Sequence, residues 1–263
     1  MKKCFTINPM RTKEEFESYD CLFKNNIYQA IEIFYPYQQS ISQLKDYTQS
    51  VYNIQNKYPN IEIVCHLPHA MYNGLCLDEH LNAGSLEIMM AAAKFASQFS
   101  AKKLTLHLGH INKEIDRQYY VDKVIPLLQT LCDYVKQFNQ VVMIENMPCD
   151  NELGYSPEEL LEIIQRVNRN NLKFIYDCGH AHVSTYDDVS YLYILKDYLY
   201  HLHYSDNDSS RDAHGKMGTG NIDFDKQFKV LKEINYNELH CMEVIYKTVD
   251  DLLLYVKDFN KYE

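Results

Sequence analysis

Short apolar runs rich in β-branched and aromatic residues recur along the chain. They are Lys3–Asn8, Ile27–Tyr35, Ile61–Leu67, Lys103–Leu108, Val141–Asn146, Leu172–Asp177, Leu199–Tyr204 and Leu239–Val244. Within each run the apolar residues occupy both alternating positions, the pattern of a strand covered on both faces. Helical signals fill the intervals. Ser156-Pro157-Glu158-Glu159 places an N-cap serine, a proline at the first helical position and a glutamate at N3. Leu160, Leu161, Ile163, Ile164 and Val167 follow at helical spacing. Val121, Val124, Leu128, Leu131, Val135 and Phe138 form a second stripe, Gly84–Phe99 a third, and Val249–Phe259 a last helix. Thr12-x-x-Glu15 caps the first helix.

Eight strands in 263 residues is one about every 33, the length of a βα unit. The expected fold is therefore α/β: a single (β/α)8 TIM barrel, one domain over residues 1–263. A doubly wound open sheet is the alternative. Its dinucleotide-binding version lacks support, because no Gly-x-Gly-x-x-Gly follows the first strand.

Composition adds boundaries. No apolar run approaches the 18 residues or so of a membrane span. The start, Met1-Lys2-Lys3-Cys4-Phe5, lacks the apolar stretch of a secretory signal. Eight scattered cysteines without a Cys-x-x-Cys read as reduced thiols, so the expected location is cytoplasmic. A net charge of −10 argues against nucleic acid as a partner, although a local basic groove can sit on an acidic protein. The densest basic spots are pairs such as Lys102-Lys103. The sequence leaves open whether the chain is a monomer or a homo-oligomer.

The chemistry gathers where the strands end. Strand three ends in Cys65-His66-Leu67-Pro68-His69, strand four in His107-Leu108-Gly109-His110, and strand five in Glu145-Asn146-Met147-Pro148. Strand six ends in Asp177-Cys178-Gly179-His180-Ala181-His182 and strand seven in His201-Leu202-His203-Tyr204-Ser205-Asp206. Arg211-Asp212-Ala213-His214 follows, and strand eight ends in Glu243. Any one of these alone reads as an ordinary polar strand end. In a barrel the C-terminal strand ends converge on one face. Carboxylates packed there repel unless protons or cations lie between them. A divalent metal satisfies that need, and His with carboxylate suits Zn, Mn, Co or Fe better than Mg or Ca.

The stretches "HLPHAMYNGLCL", "KLTLHLGH", "VVMIENMP", "LKFIYDCGHAH", "HLHYSDNDSSRDAHGKMGTGNIDF" and "MEV", in this order, resemble the xylose-isomerase-like (endonuclease IV-like) TIM-barrel superfamily. The resemblance covers nearly the whole chain. It implies that Glu145, Asp177, His203 and Glu243 share one metal ion. His180, Asp212 and His214 match a second metal group of the endonuclease branch. His107, with Glu145 bridging and a histidine of strand three, matches a third, so one to three ions are expected. The strand-three histidine is either His66, by the isomerase-like His-x-Pro pattern, or His69, by the endonuclease-like Leu-Pro-His with Tyr72 close behind. Glu32 in the second strand is either a mark of the isomerase-like branch or a buried structural carboxylate. Gly215-x-x-Gly218-x-Gly220 either presents N–H groups to a phosphate, with Lys216 steering the anion, or is an ordinary loop.

Two functions of different class follow. One is a metal-dependent isomerase or epimerase of a sugar or sugar phosphate. In it Glu145 and Glu243 exchange a carbon-bound proton through an enediolate, and His180 orients a substrate oxygen. The other is a multinuclear zinc phosphodiesterase of the abasic-site endonuclease type, in which clustered metals generate a hydroxide and Tyr72 is the candidate wedge. The −10 charge, Glu32 and the lack of an obvious arginine-bearing loop after strand two, where the chain reads "YPYQQSISQLKD", favour the first. A non-catalytic barrel would have little reason to carry such a ligand set.

Overall fold

The computed structural model describes residues 1–36, 39–69, 75 and 82–262, with the side chains of 82 and 83 left aside. Eight strands, β1 (Lys2–Ile7), β2 (Ala30–Phe34), β3 (Glu62–His66), β4 (Lys103–Leu106), β5 (Val141–Glu145), β6 (Leu172–Asp177), β7 (Leu199–Tyr204) and β8 (Leu239–Met242), close into one parallel barrel in sequence order. β1 pairs with β8 through Cys4 opposite Cys241. All eight expected runs become strands, most of them shorter by a residue or more because backbone pairing stops where the loops turn away.

The apolar residues at both parities have two destinations. Cys4, Ala30, Val64, Met143, Ile175, Leu239 and Cys241 point inward and form the cluster inside the barrel. Their neighbours Phe5, Ile31, Ile63, Leu104, Val142 and Phe174 point outward and pack in the layer shared with the helices. Strand alternation then makes the inward residue at each C-terminal end a rim residue. At the opposite end, buried Lys103 lies 3.1 Å from Glu62 and 2.9 Å from Glu238 and stands over the Tyr200 ring.

The helices lie close to the expected intervals: Lys13–Ser18, Asn82–Ser97, Arg117–Val135, Pro157–Val167 and Val249–Phe259 among them. Thr12 and Glu15 form the reciprocal cap. Ser156 accepts from the Glu159 N–H as expected, but the Glu159 side chain turns instead to Arg117 and the Gly154 N–H. The Arg117 guanidinium, only partly exposed, outcompetes the cap N–H for the buried carboxylate. Two short helices, Cys178–Val183 and Ser190–Ile194, stand between β6 and β7.

Candidate metal centre

The C-terminal rim brings together four buried or nearly buried side chains from four strand ends. One ligand atom from each of Glu145, Asp177, His203 and Glu243 lies within 4.8 Å of all the others. His203 Nδ1 is 2.9 Å from Glu243 Oε2, 3.1 Å from Glu145 Oε1 and 3.8 Å from Asp177 Oδ2. Asp177 caps the helix Cys178–Val183 through Oδ1, which accepts from the His180 N–H at 2.6 Å. Asn146 braces the same residue, its side chain exchanging hydrogen bonds with the Asp177 backbone at 2.8 and 2.9 Å. That leaves Asp177 Oδ2 buried without a hydrogen-bond partner. Glu145 Oε2 is in the same condition. Its nearest neighbours, His107 Nε2 at 3.0 Å and His66 Nε2 at 3.8 Å, are not aligned to donate. Buried acceptors left without donors are costly, and a cation between them is one way to satisfy both.

The electrostatics agree. Burial pushes the Asp177 carboxyl up to about 7, and Glu145, Glu243 and Asp212 push the same way against the opposing pull of His180. Burial also works to raise Glu145 and Glu243. The His203 imidazole outweighs it, holding Glu145 well below the carboxylate range and Glu243 down at about 2. His203 itself is raised against burial by Glu243, Glu32 and Glu145. The donors are imidazole nitrogens and carboxylate oxygens with no thiolate, a set that fits Zn, Mn, Co or Fe.

A second set, His66, His107 and Glu145, converges within the same limit and shares Glu145 with the first. His66 is buried, and its Nδ1 lies 2.8 Å from the Leu67 carbonyl, leaving Nε2 to face Glu145. His69 is less deeply placed, with its ring centroid 4.5 Å from that of His66 and 5.0 Å from that of His107. It lines a cavity of about 430 Å³ beside Glu243 and His214, walled also by Phe34, Tyr35 and Tyr246. Tyr72 lies outside the described residues.

His180, Asp212 and His214 form a chain at the rim. Asp212 Oδ2 is 3.4 Å from His180 Nε2 and 2.8 Å from His214 Nε2. The other ring nitrogens are engaged, His180 Nδ1 with the Asn146 carbonyl at 2.9 Å and His214 Nδ1 with the Glu243 carbonyl at 3.0 Å. Burial opposes the charging of His214, but Asp212 and Glu243 raise it to about 10. His182 and His110 stand apart from the centre: His182 pairs with Asp188 and Asn221, and His110 lies 3.7 Å from Glu152.

The glycine loop does not cradle an anion. The Gly218 and Gly220 N–H groups donate to Asp206 Oδ2 at 2.7 and 3.0 Å, and Ile222 N–H to Asp206 Oδ1 at 3.3 Å. A carboxylate of the chain itself takes the place a phosphate would occupy. A Cβ on Gly220 would meet the Asn207 carbonyl oxygen at 2.1 Å, so that glycine permits close backbone packing. Lys216 is 2.7 Å from Asp258 rather than poised to steer an anion. Sequence reasoning missed the engagement of Asp206 and the place of His201 beneath the rim. His201 carried a readable signal, the inward parity it shares with His203 on β7.

The sequence matches the family described as xylose isomerase-like TIM barrel over residues 26–259. It is 21% identical over 187 residues to fructoselysine 3-epimerase of Shigella flexneri, covering 71% of this chain and 68% of that one. It is 26% identical over 193 residues to Probable endonuclease 4 of Acholeplasma laidlawii (strain PG-8A), covering 67% of this chain and 65% of that one. The chain thus spans about two thirds of the length of these relatives. Among solved structures, a D-tagatose 3-epimerase-like protein superposes with a TM-score of 0.82 at 24% identity, covering 100% of this chain and 97% of that one. At that identity the likeness bears on the fold.

Proposed function

We propose, from the premise that this chain belongs to the xylose isomerase-like TIM-barrel family, that it is a metal-dependent isomerase or epimerase of a sugar or sugar phosphate, acting as one domain. The observation that carries the reading is the convergence of Glu145, Asp177, His203 and Glu243 beside a cavity of about 430 Å³. These four would hold a divalent ion, Zn or Mn with Co and Fe also suited, which when bound polarises a substrate carbonyl and acidifies the adjacent C–H. Glu145 on β5 and the position just past β8, Glu243, approach from different sides of the barrel. Glu243 borders the cavity and is held ionised, with His203 lowering it against burial, so it can accept the proton. Glu145, once it has taken a proton from solvent, can return one to the other face while Glu243 releases its own to solvent, the substrate passing through an enediolate. His180, its ring fixed by the Asn146 carbonyl, keeps Nε2 toward the site to orient a substrate oxygen. His66 and His107 with Glu145, His69 at the cavity wall, and Asp212 with His214 are the residues through which a second or third ion would be held.

The multinuclear phosphodiesterase is the second reading, favoured by the His66–His107–Glu145 set and by the relative named an endonuclease. Against it, most of the cations near the rim are already paired, Arg11 with Glu15, Lys113 with Asp150, Arg117 with Glu159 and Lys216 with Asp258, leaving Arg211 and Lys247 exposed. Duplex DNA needs several cations free for its phosphates. Incubation with ketoses and ketose phosphates in heavy water tests the choice. Deuterium incorporated next to the carbonyl, and lost in Glu243→Gln, is the expected result. Metal-dependent nicking of abasic-site DNA without exchange on any sugar would replace this reading with the hydrolase. Elemental analysis separates them further, about one ion per chain for the isomerase and two or three for the hydrolase.

A further inference from the structure

Beneath the rim lies a carboxylate that the proposed chemistry does not use. Glu32 occupies an inward position on β2 and is fully buried. Its Oε1 accepts from the Thr105 hydroxyl at 2.7 Å. Its Oε2 lies 2.9 Å from two imidazole nitrogens, Nε2 of His201 and Nε2 of His203. A carboxylate oxygen set between two ring nitrogens accepts from both. In this geometry each histidine turns Nε2–H toward Glu32. For His203 this frees Nδ1, the nitrogen that faces Glu145 and Glu243.

We propose that Glu32 is a positioning residue: it fixes the tautomer and ring plane of His203, so that the Nδ1 lone pair meets the ion shared with Glu145, Asp177 and Glu243. The proposal rests on reading those four residues as the metal site. A carboxylate behind a ligating imidazole also makes the ring a better donor. His201 supports the arrangement from the layer below. Its Nδ1 is buried without a partner, so Glu32 holds the one hydrogen bond its ring makes. The rival explanation is an ion inside the barrel, because Glu32, His201, His203 and Cys241 also offer atoms within 4.8 Å of one another. Hydrogen bonds already account for both oxygens of Glu32.

The test titrates the full-length, metal-stripped protein with Co2+ alone against a competing chelator. Glu32→Ala should bind Co2+ about 10- to 100-fold more weakly than wild type. Glu32→Gln should fall between them, because its amide oxygen still accepts from Nε2–H but adds no charge. Long-range proton–nitrogen spectra of the metal-free protein, taken at a pH high enough for the His203 ring to be neutral, should give it as the Nε2–H form in wild type and in Glu32→Gln, and as a mixture in Glu32→Ala. Wild-type affinity in both Glu32 variants, with affinity lost in His203→Ala, would overturn the proposal and leave the metal site standing. Wild-type affinity in His203→Ala would instead remove the metal-site reading and this proposal with it. A thiolate-to-cobalt absorption band that disappears in Cys241→Ser would overturn it in favour of an interior ion. Should Glu32→Ala not fold, Glu32→Gln decides alone: unchanged affinity refutes, a drop of about threefold or more supports.

Discussion

Replacing Asp177 by asparagine should stabilise the metal-stripped protein at alkaline pH while abolishing its metal binding. The folded protein holds the Asp177 carboxyl at about 7, against 3.8 for an ordinary aspartate, with burial the main cause. Between those values the folded state binds more protons than the unfolded state. Stability is therefore greatest below about 4 and is lost as pH rises through 7. Roughly three units at about 1.4 kcal/mol each put the full cost near 4 kcal/mol above pH 7. Glu145, Glu243 and Asp212 share the repulsion, so about 1–4 kcal/mol is the expected gain. Asparagine keeps the cap, because its oxygen can accept from the His180 N–H as Asp177 Oδ1 does, and asparagine caps helices as well as aspartate. Its amide nitrogen would replace Asp177 Oδ2, which has no hydrogen-bond partner, with a donor facing carboxylates. Urea unfolding with chelator at pH 5, 6.5 and 8 would measure this, the advantage of Asp177→Asn growing with pH. Saturating metal should reverse the order, since a ligand at 1,000 times its Kd adds about 4 kcal/mol to the wild type alone. A variant less stable than wild type at pH 8 without metal, or a difference independent of pH, would refute the reasoning.

Glu145→Gln and His203→Ala should each lose the metal while keeping the barrel's circular dichroism, because each empties one place in the converging set; full metal content after dialysis in both would contradict the assignment. In Asp212→Asn, the His214 pKa should fall from about 10 toward 6.5, because Asp212 is a principal group raising it against burial; nuclear magnetic resonance titration of the metal-free protein reads this directly, and an unchanged value would exclude that pairing. Asp206→Ala should cost about 2–4 kcal/mol by urea unfolding, since it strips the acceptor from the Gly218, Gly220 and Ile222 N–H groups; a loss under 1 kcal/mol or so would mean that water replaces the carboxylate freely.

Much of this molecule was determined by its sequence alone. Strand alternation decides which side chains face the barrel axis, so eight apolar runs, the last six with His, Asp or Glu at their ends, specify both the barrel and its chemical face. Glu145, Asp177, His203 and Glu243 were named together by the family resemblance of the stretches that carry them, and each sits at or just past the last inward position of its strand. What lies one layer deeper or out in the loops was decided only by tertiary structure. Glu32 and His203 are 171 residues apart, and their contact depends on the stagger of β2 against β7 across the closed barrel. His66 rather than His69 faces Glu145 because Nδ1 of His66 is tied to the Leu67 carbonyl, a local backbone geometry that the motif around it does not encode. The glycine loop carried the composition of a phosphate cradle, yet its N–H groups close on Asp206. Composition sets which backbone conformations a loop can adopt. Which acceptor its donors finally meet depends on the charges that the completed fold brings beside them.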